Sequence, residues 1–338
     1  MLATDNAVIP YAVGVDIGCR MALSVFALPP KFLSQRVQEL QKLLLDNTRF
    51  GNRTGFDRGK KLGHEVLESD TFQAVPFLRN KQATAAEQIG TSGSGNHFVE
   101  FGVVDITDPT NEMGLAVGQY VGLLSHSGSR GLGASVANHY TKLAMENCQL
   151  PNEAKHLAWL GLDSELGQEY WAAMTLAGDF ASACHHQIHH RLAKALGERP
   201  LAKVENHHNF AWKERMADGR EVIVHRKGAT PAGRGVLGII PGSMTAPGFI
   251  VRGRGVAESL GSASHGAGRL MSRTRAKQEL GEAQVRQYLR DHDVVLQGGG
   301  VDEAPMAYKD IHAVMQSQQE LVDVLGSFTP KIVRMDGA

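Results

Sequence analysis

The residues of this chain best suited to chemistry are a carboxylate, a thiol and a set of histidines placed beside glycines or at the edges of apolar runs. In Asp16-Ile17-Gly18-Cys19 a hard carboxylate and a soft thiol stand three residues apart, and Gly18 permits both to turn toward one point. Such a pair suits a borderline divalent ion such as Zn, Mn, Fe or Co, and a thiolate can bridge two ions. His97 follows Asn96 and the turn Gly90 to Gly95, His126 precedes Ser127-Gly128-Ser129-Arg130, and His208 stands in His207-His208-Asn209. Singly, a buried cysteine or a hydrogen-bonded histidine is the commoner arrangement. Together Asp16, Cys19, His97, His126 and His208 offer the O, S and N donors of a one- or two-metal centre, although spacing alone does not show that they converge. A second cluster, Cys184 to His190, pairs His185 with His189 and His186 with His190 on shared helix faces. It lacks the H-E-x-x-H arrangement of metalloproteases and reads as a solvated helix surface.

Anion-binding features come next. Pro241-Gly242-Ser243-Met244 follows an apolar run and offers backbone N–H groups and a hydroxyl. His225-Arg226-Lys227-Gly228 places two cations where phosphate could be held. Ser264-His265-Gly266-Ala267-Gly268-Arg269 sets a histidine among small residues that let a ligand approach the backbone. Each is also compatible with an ordinary turn. No G-x-x-x-x-G-K-[ST] occurs, and the G-x-G-x-x-G at Gly233–Gly238 opens a strand rather than a helix, so it reads as chance. No Lys-x-Asp-Gly run is present. If a nucleotide is activated covalently here, a histidine must do it, and His265 is the best placed.

These residues need a scaffold. The 338 residues, 42% hydrophobic and 21% charged with a formal net charge of zero, are ordinary for a globular protein, and a nucleic-acid partner would require a local basic patch. Three scattered cysteines make no disulfide framework, and neither a signal segment nor a spanning apolar run is visible, so a cytoplasmic location away from membranes is expected. Strands are expected over Ala12–Ile17, Phe98–Val104, Gln119–Leu124, Val222–Val224, Val236–Ile240 and Phe249–Val251. Helices are expected over Lys31–Leu45, Ala134–Met145, Gln168–Leu196 and, closing the chain, Met306–Leu325, with an irregular excursion over Asn52–Phe77. The simplest organisation is one α+β domain over 1–338, central β-sheets flanked by helices, with the polar clusters just after apolar strands, at strand-to-loop junctions.

In order along nearly the whole chain, the motifs Val15-Asp16-Ile17-Gly18-Cys19, Gln88 to Thr91 with Gly95-Asn96-His97-Phe98-Val99-Glu100, His126 to Gly131, His208-Asn209, His225 to Thr230, Pro241 to Met244, Ser264 to Arg273, Asp302-Glu303-Ala304-Pro305 and Ala307 to Ile311 resemble the RtcB-type RNA ligases. The resemblance implies two manganese ions on Asp16, Cys19, His97, His126 and His208, with Cys19 bridging. It implies GTP held by Asn96, His97, Phe98, Val99, Glu100, His208, Asn209, Pro241, Gly242, Ser243, Met244, Gly266, Ala267 and Gly268. His265 would then take GMP from GTP as a phosphoramidate and pass it to an RNA 3′-phosphate, freed if necessary from a 2′,3′-cyclic phosphate. A 5′-hydroxyl would then displace GMP, in tRNA splicing or RNA repair. Arg269 and the cations near His225 would stabilise the transferring phosphate. An activating or translation-related protein partner is compatible with this reading.

The chain departs from the family pattern in places. Fifteen residues precede Asp16, so the family's Pro-Asp-Val-His-like segment is expected to be absent or replaced. Arg20 follows the motif cysteine in place of glycine, Gly248 replaces a serine, and the end reads Asp336-Gly337-Ala338 rather than Lys-Gly. The Cys184–His190 helix differs from the family's Asn-Arg pattern and reads as solvated or RNA-facing. A two-metal phosphoesterase without guanylylation and an inactive RNA-binding paralogue are the alternatives.

Overall fold

In the computed structural model, which describes residues 1–52, 54–57 and 63–337, a mixed set of helices surrounds one large sheet, an α+β architecture. Seven strands form its continuous path: β1 (Arg20–Phe26), β2 (Phe98–Ile106), β3 (Gly118–Ser127), β4 (Ala202–His207), β5 (Leu237–Ile240), β6 (Gly248–Gly253) and β7 (Val322–Met335). Their order is β5-β6-β7-β2-β3-β1-β4, antiparallel throughout, with Val295–Gln297 added in parallel to β7. The sheet curls until its two ends meet. Asn206 of β4 accepts the Ile239 N–H of β5 at 2.8 Å and donates to the Ile239 carbonyl at 3.2 Å, so one side-chain amide takes the place of a ladder pair and nearly closes a barrel.

Alternation along the strands divides two cores. In β2, Phe98, Val104 and Ile106 face the barrel interior with Met21, Leu23, Val25, Leu124, Val204, Ile239 and Phe328, whereas Val99 and Phe101 face an outer layer with Phe26, Val121, Leu123 and Ile332. Gly102 and Gly122 are paired across β2 and β3, and a Cβ on either would press into the Phe328 ring, so their lack of side chain is what admits that ring to the interior. Outside lie α1 (Val37–Asn47), α2 (Arg130–Asn147) and α3 (Glu165–Leu196). The Ser164 hydroxyl caps the start of α3 by accepting the Gly167 N–H, and Gly197 ends it at φ +76°. No helix among the described residues is long and apolar enough to cross a membrane.

Several expectations require correction. Ala12–Ile17 is not a strand: Pro10–Val13 is a helical turn begun by Pro10, and the strand starts only after Cys19. Cys19 and His97 directly precede their strands, while His126 lies near the end of β3 and His208 directly follows β4, so the cluster does sit at strand-to-loop junctions but at strand starts as well as strand ends. The expected Lys31–Leu45 helix breaks at Arg36 (φ −126°). The closing helix shrinks to Ile311–Gln316, and Val322–Met335 is a strand, because β6 and β2 pair with it on both sides and override its local helical spacing. Of the Asn52–Phe77 excursion, residues 53 and 58–62 lie outside the described residues, as does Ala338 of the chain end, and the rest contains short turns of helix at Glu65–Glu68, Thr71–Ala74 and Pro76–Leu78.

The closure by Asn206 gives a stability prediction. Asn206→Ala leaves the Ile239 N–H and C=O without partners in a buried position, at a cost of about 1–3 kcal/mol per group. Urea unfolding is expected to show a clearly lower midpoint with little change in its denaturant slope.

Candidate active site

The barrel register brings the chemical residues together at one open end. Arg20, the first residue of β1, pairs with Ser127 of β3 on one side and His207 of β4 on the other. Cys19 therefore falls beside His126 and His208, and the His208 N–H extends the ladder to the Cys19 carbonyl at 2.9 Å. Gly18 makes the turn at φ +65°, where its missing Cβ avoids the Gly178 backbone of α3. Asn209, itself at φ +55°, accepts the Gly18 N–H and donates its amide to the Asp16 carbonyl at 3.2 Å.

Within this frame Cys19 Sγ lies 3.1 Å from His126 Nε2 and 3.6 Å from His97 Nε2, and His97 Nε2 is 2.9 Å from Asp16 Oδ2. Two potential metal-binding triads result, Cys19–His126–His208 and Asp16–Cys19–His97, with the thiol common to both. The Asn96 carbonyl stands 3.0 Å from His126 Nδ1; a proton donated there leaves the Nε2 lone pair facing the thiol. His97 Nδ1 and His208 Nδ1 are buried without a hydrogen-bond partner. Carboxylate, thiolate and imidazole donors, one of them shared, fit one or two borderline divalent ions.

The electrostatics agree with a cation at this position. Burial pushes the Asp16 carboxyl up, but the His97 charge, with hydrogen bonds from His97 and Cys19, outweighs it and holds Asp16 at about 2. Burial, and then the neighbouring Asp16, push the Cys19 thiol well above its ordinary value. Burial and then His97 lower His126 to about 3, while burial, His265 and His126 drive His208 well below the ordinary histidine value. His126 and His208 are thus neutral and available as ligands, and a bound cation would reverse the penalty on the thiolate.

His265 stands next to this cluster, its ring centroid 4.6 Å from that of His208. It follows the strand Ser262–Ser264, which pairs with Ala229–Pro231, so Gly228 lies opposite it and the Gly228 carbonyl is 2.9 Å from His265 Nδ1. Burial lowers the His265 pKa, opposed by the Gly228 hydrogen bond. The ring borders a cavity of about 260 Å³ in the barrel mouth, which has Leu124 and Phe328 from the barrel interior among its lining residues. Of the expected nucleotide residues, Asn96, Phe98, Glu100, Pro241, Gly242, Ser243, Met244, Gly266, Ala267 and Gly268 line this cavity, as does Gly248. His97 and His208 stand in the metal-type cluster instead, Val99 faces the outer core, and Asn209 braces the Asp16–Gly18 turn. The Ser243 hydroxyl accepts the Ala246 N–H at 3.2 Å within its own turn. Burial pushes the Glu100 carboxyl, which has no hydrogen-bond partner among the described residues, well above the usual range.

Two sequence expectations fail here. Arg226 does not face phosphate: it is 1% exposed and saturated by Glu214, the Ser262 hydroxyl and the Leu260 carbonyl. The Cys184–His190 face is not all solvated, because His185 and His189 are buried and share the Ser125 hydroxyl at 2.6 and 2.8 Å, with His189 also meeting Ser24 at 2.8 Å. Arg269 lines the cavity, but its guanidinium is divided among Glu303, the Asp302 carbonyl and Tyr308. Glu303 and Tyr308, which also line the cavity, had no role assigned from the sequence; their motifs were visible, but nothing local showed that they would meet Arg269.

The description "tRNA-splicing ligase RtcB" belongs to the family model that matches residues 72–336. The chain is 35% identical to the RNA-splicing ligase RtcB of Escherichia coli K12, over 96% of this chain and 83% of that protein. It is 31% identical to the tRNA-splicing ligase RtcB of Nanoarchaeum equitans (94% and 80% covered) and 30% to that of Thermococcus kodakarensis (94% and 79%). The chain belongs to the RtcB family.

The shared thiol makes a countable prediction. Cys19→Ala is expected to abolish tight divalent-ion binding at both triads, whereas His208→Ala removes one ion and leaves the other. Metal content after equilibrium dialysis against manganese checks this; equal losses in the two variants would contradict it.

Proposed function

We propose that this RtcB-family chain is a GTP- and manganese-dependent RNA ligase. It would join an RNA 3′-phosphate, or a 2′,3′-cyclic phosphate after hydrolysis, to a 5′-hydroxyl through a histidine–GMP intermediate. The printed names of its relatives support the class of reaction. The observation that carries the choice of nucleophile is the position of His265, on the cavity rim, ring-packed on His208, with Nδ1 at the Gly228 carbonyl. Donating the Nδ1 proton to that carbonyl leaves Nε2 with its lone pair, and burial favours the neutral, nucleophilic ring.

In the first step His265 Nε2 forms a bond to the α-phosphorus of GTP as the bond to the β-phosphate oxygen breaks and pyrophosphate leaves. An oxygen of the RNA 3′-phosphate then takes the GMP as the P–N bond breaks. The 5′-hydroxyl oxygen next attacks the 3′-phosphorus, losing its proton and expelling GMP. Asp16, Cys19, His97, His126 and His208 are the residues that would hold manganese, which supplies charge neutralisation on the phosphates when bound. The Pro241–Met244 turn, Asn96 and Gly266–Gly268 would seat the nucleotide, with Phe98 and Glu100 toward the barrel interior.

Intact mass after incubation with GTP and manganese is expected to show one added GMP on the wild-type chain and none on His265→Ala. No adduct on the wild type, together with phosphoester hydrolysis that survives His265→Ala, would replace this reading with a two-metal phosphoesterase. Because the His265 pKa lies below the ordinary value of about 6.5, the neutral ring persists on acidification. At saturating manganese and GTP the rate of adduct formation is therefore expected to hold down to about pH 6.5 and to fall only below it; a midpoint above that value would contradict the assignment.

A further inference from the structure

The outer side of β7 carries a charge that the proposed chemistry does not use. Val333 and Met335 line the cavity, so Arg334 between them points the other way, where it is 7% exposed and its guanidinium lies 5.6 Å from the Phe50 ring centroid. Its Nε and Nη1 are buried and have no hydrogen-bond partner. A buried guanidinium left with unmet donors is costly, and such groups are normally completed by an anion. Among the described residues no carboxylate is within ion-pair reach of it; Asp46, which acts on it from farther away, is held by Lys42 at 3.0 Å.

Its charged neighbours are otherwise cationic. Arg49 repels both Arg334 and Arg191, and the Arg49 and Arg191 guanidiniums stack on Phe56 at 4.9 and 3.8 Å from its centroid. The segment is also tied to the active-site loop. The Arg49 carbonyl accepts the Ser92 N–H at 2.7 Å and the Gly51 N–H reaches the Gly93 carbonyl at 3.3 Å, just before Asn96 and His97.

We propose that Arg334, with Arg49 beside it, forms a phosphate-binding subsite for the backbone of the RNA strand, on the outer flank of the loop that carries His97. Guanidinium groups are matched to phosphate, and a phosphate at this edge would supply the anion that the buried Arg334 charge lacks. The identity of the polyanion rests on the ligase reading above; the anion chemistry of the site does not.

The test measures binding rather than joining. A labelled single-stranded oligoribonucleotide is titrated against the manganese-loaded chain over a range of salt, for the wild type, Arg334→Met and Arg49→Met, with melting curves to report folding. Each substitution is expected to weaken binding roughly fivefold at about 0.1 M salt and to reduce the slope of log affinity against log salt by about 0.7. Arg334→Met, which removes an unpaired charge, is expected to melt no lower than the wild type. Unchanged affinity and slope in both folded variants would overturn the subsite. Inorganic phosphate raising the wild-type melting temperature, but not that of Arg334→Met, under conditions where the oligoribonucleotide shows no such difference, would overturn the RNA assignment. GMP adduct formation is scored separately on the wild type, so a chain that takes no GMP yet shows the slope change would overturn the ligase reading and leave the subsite standing.

Discussion

The candidate site depends on one register, that of β1 between β3 and β4. With Arg20 opposite Ser127 and His207, the thiol of Cys19 is set between His126 and His208, and every other feature of the cluster is arranged around it. A slip of one residue would turn these side chains to the other face of the sheet. The register is braced from outside by α3, where His185 and His189 bond Ser125 of β3 and His189 also bonds Ser24 of β1.

The cluster is buried enough to be unfavourable by itself. Burial raises the Cys19 thiol and lowers the nearby histidines, so without a cation the thiolate is disfavoured while the imidazoles are ready to donate. The same low-dielectric surroundings strengthen the attraction for a divalent ion once the thiol has lost its proton. His265 belongs to a different piece of chain, a short two-stranded ribbon, and reaches the cluster only through its packing on His208. The Asp16–Cys19–His97–His126–His208 cluster and His265 are thus supplied by separate elements that converge on the barrel mouth.

Much of the site was legible in the sequence. The residue types at Asp16, Cys19, His97, His126 and His208, and the small residues around His265, indicated metal and phosphate chemistry, and the ordered motifs indicated the family. Strands around Phe98–Val104 and Gln119–Leu124 were legible as short apolar runs, because both of their faces pack on a core, and the long helix over Gln168–Leu196 from its length and apolar content. The parity of the inward residues was also latent there: Cys19 is in phase with Met21 and Leu23, His126 with Leu124, and His208 with Val204.

What only the tertiary structure decided concerns residues whose roles depend on partners far along the chain. Val322–Met335 is a strand because β2 and β6 flank it, Arg226 is structural because Glu214 and Ser262 enclose it, and Asn209 braces a turn nearly two hundred residues earlier. The unmet donors of Arg334 are likewise invisible until Phe50 and Arg49 are placed beside it. The sequence by itself determined the donor atoms, their order and the family; the fold determined which of them meet. The reason is physical: periodicity reports which face of an element is apolar, whereas the hydrogen-bond partners, burial and local field of a polar side chain are set by whichever distant segment packs against it.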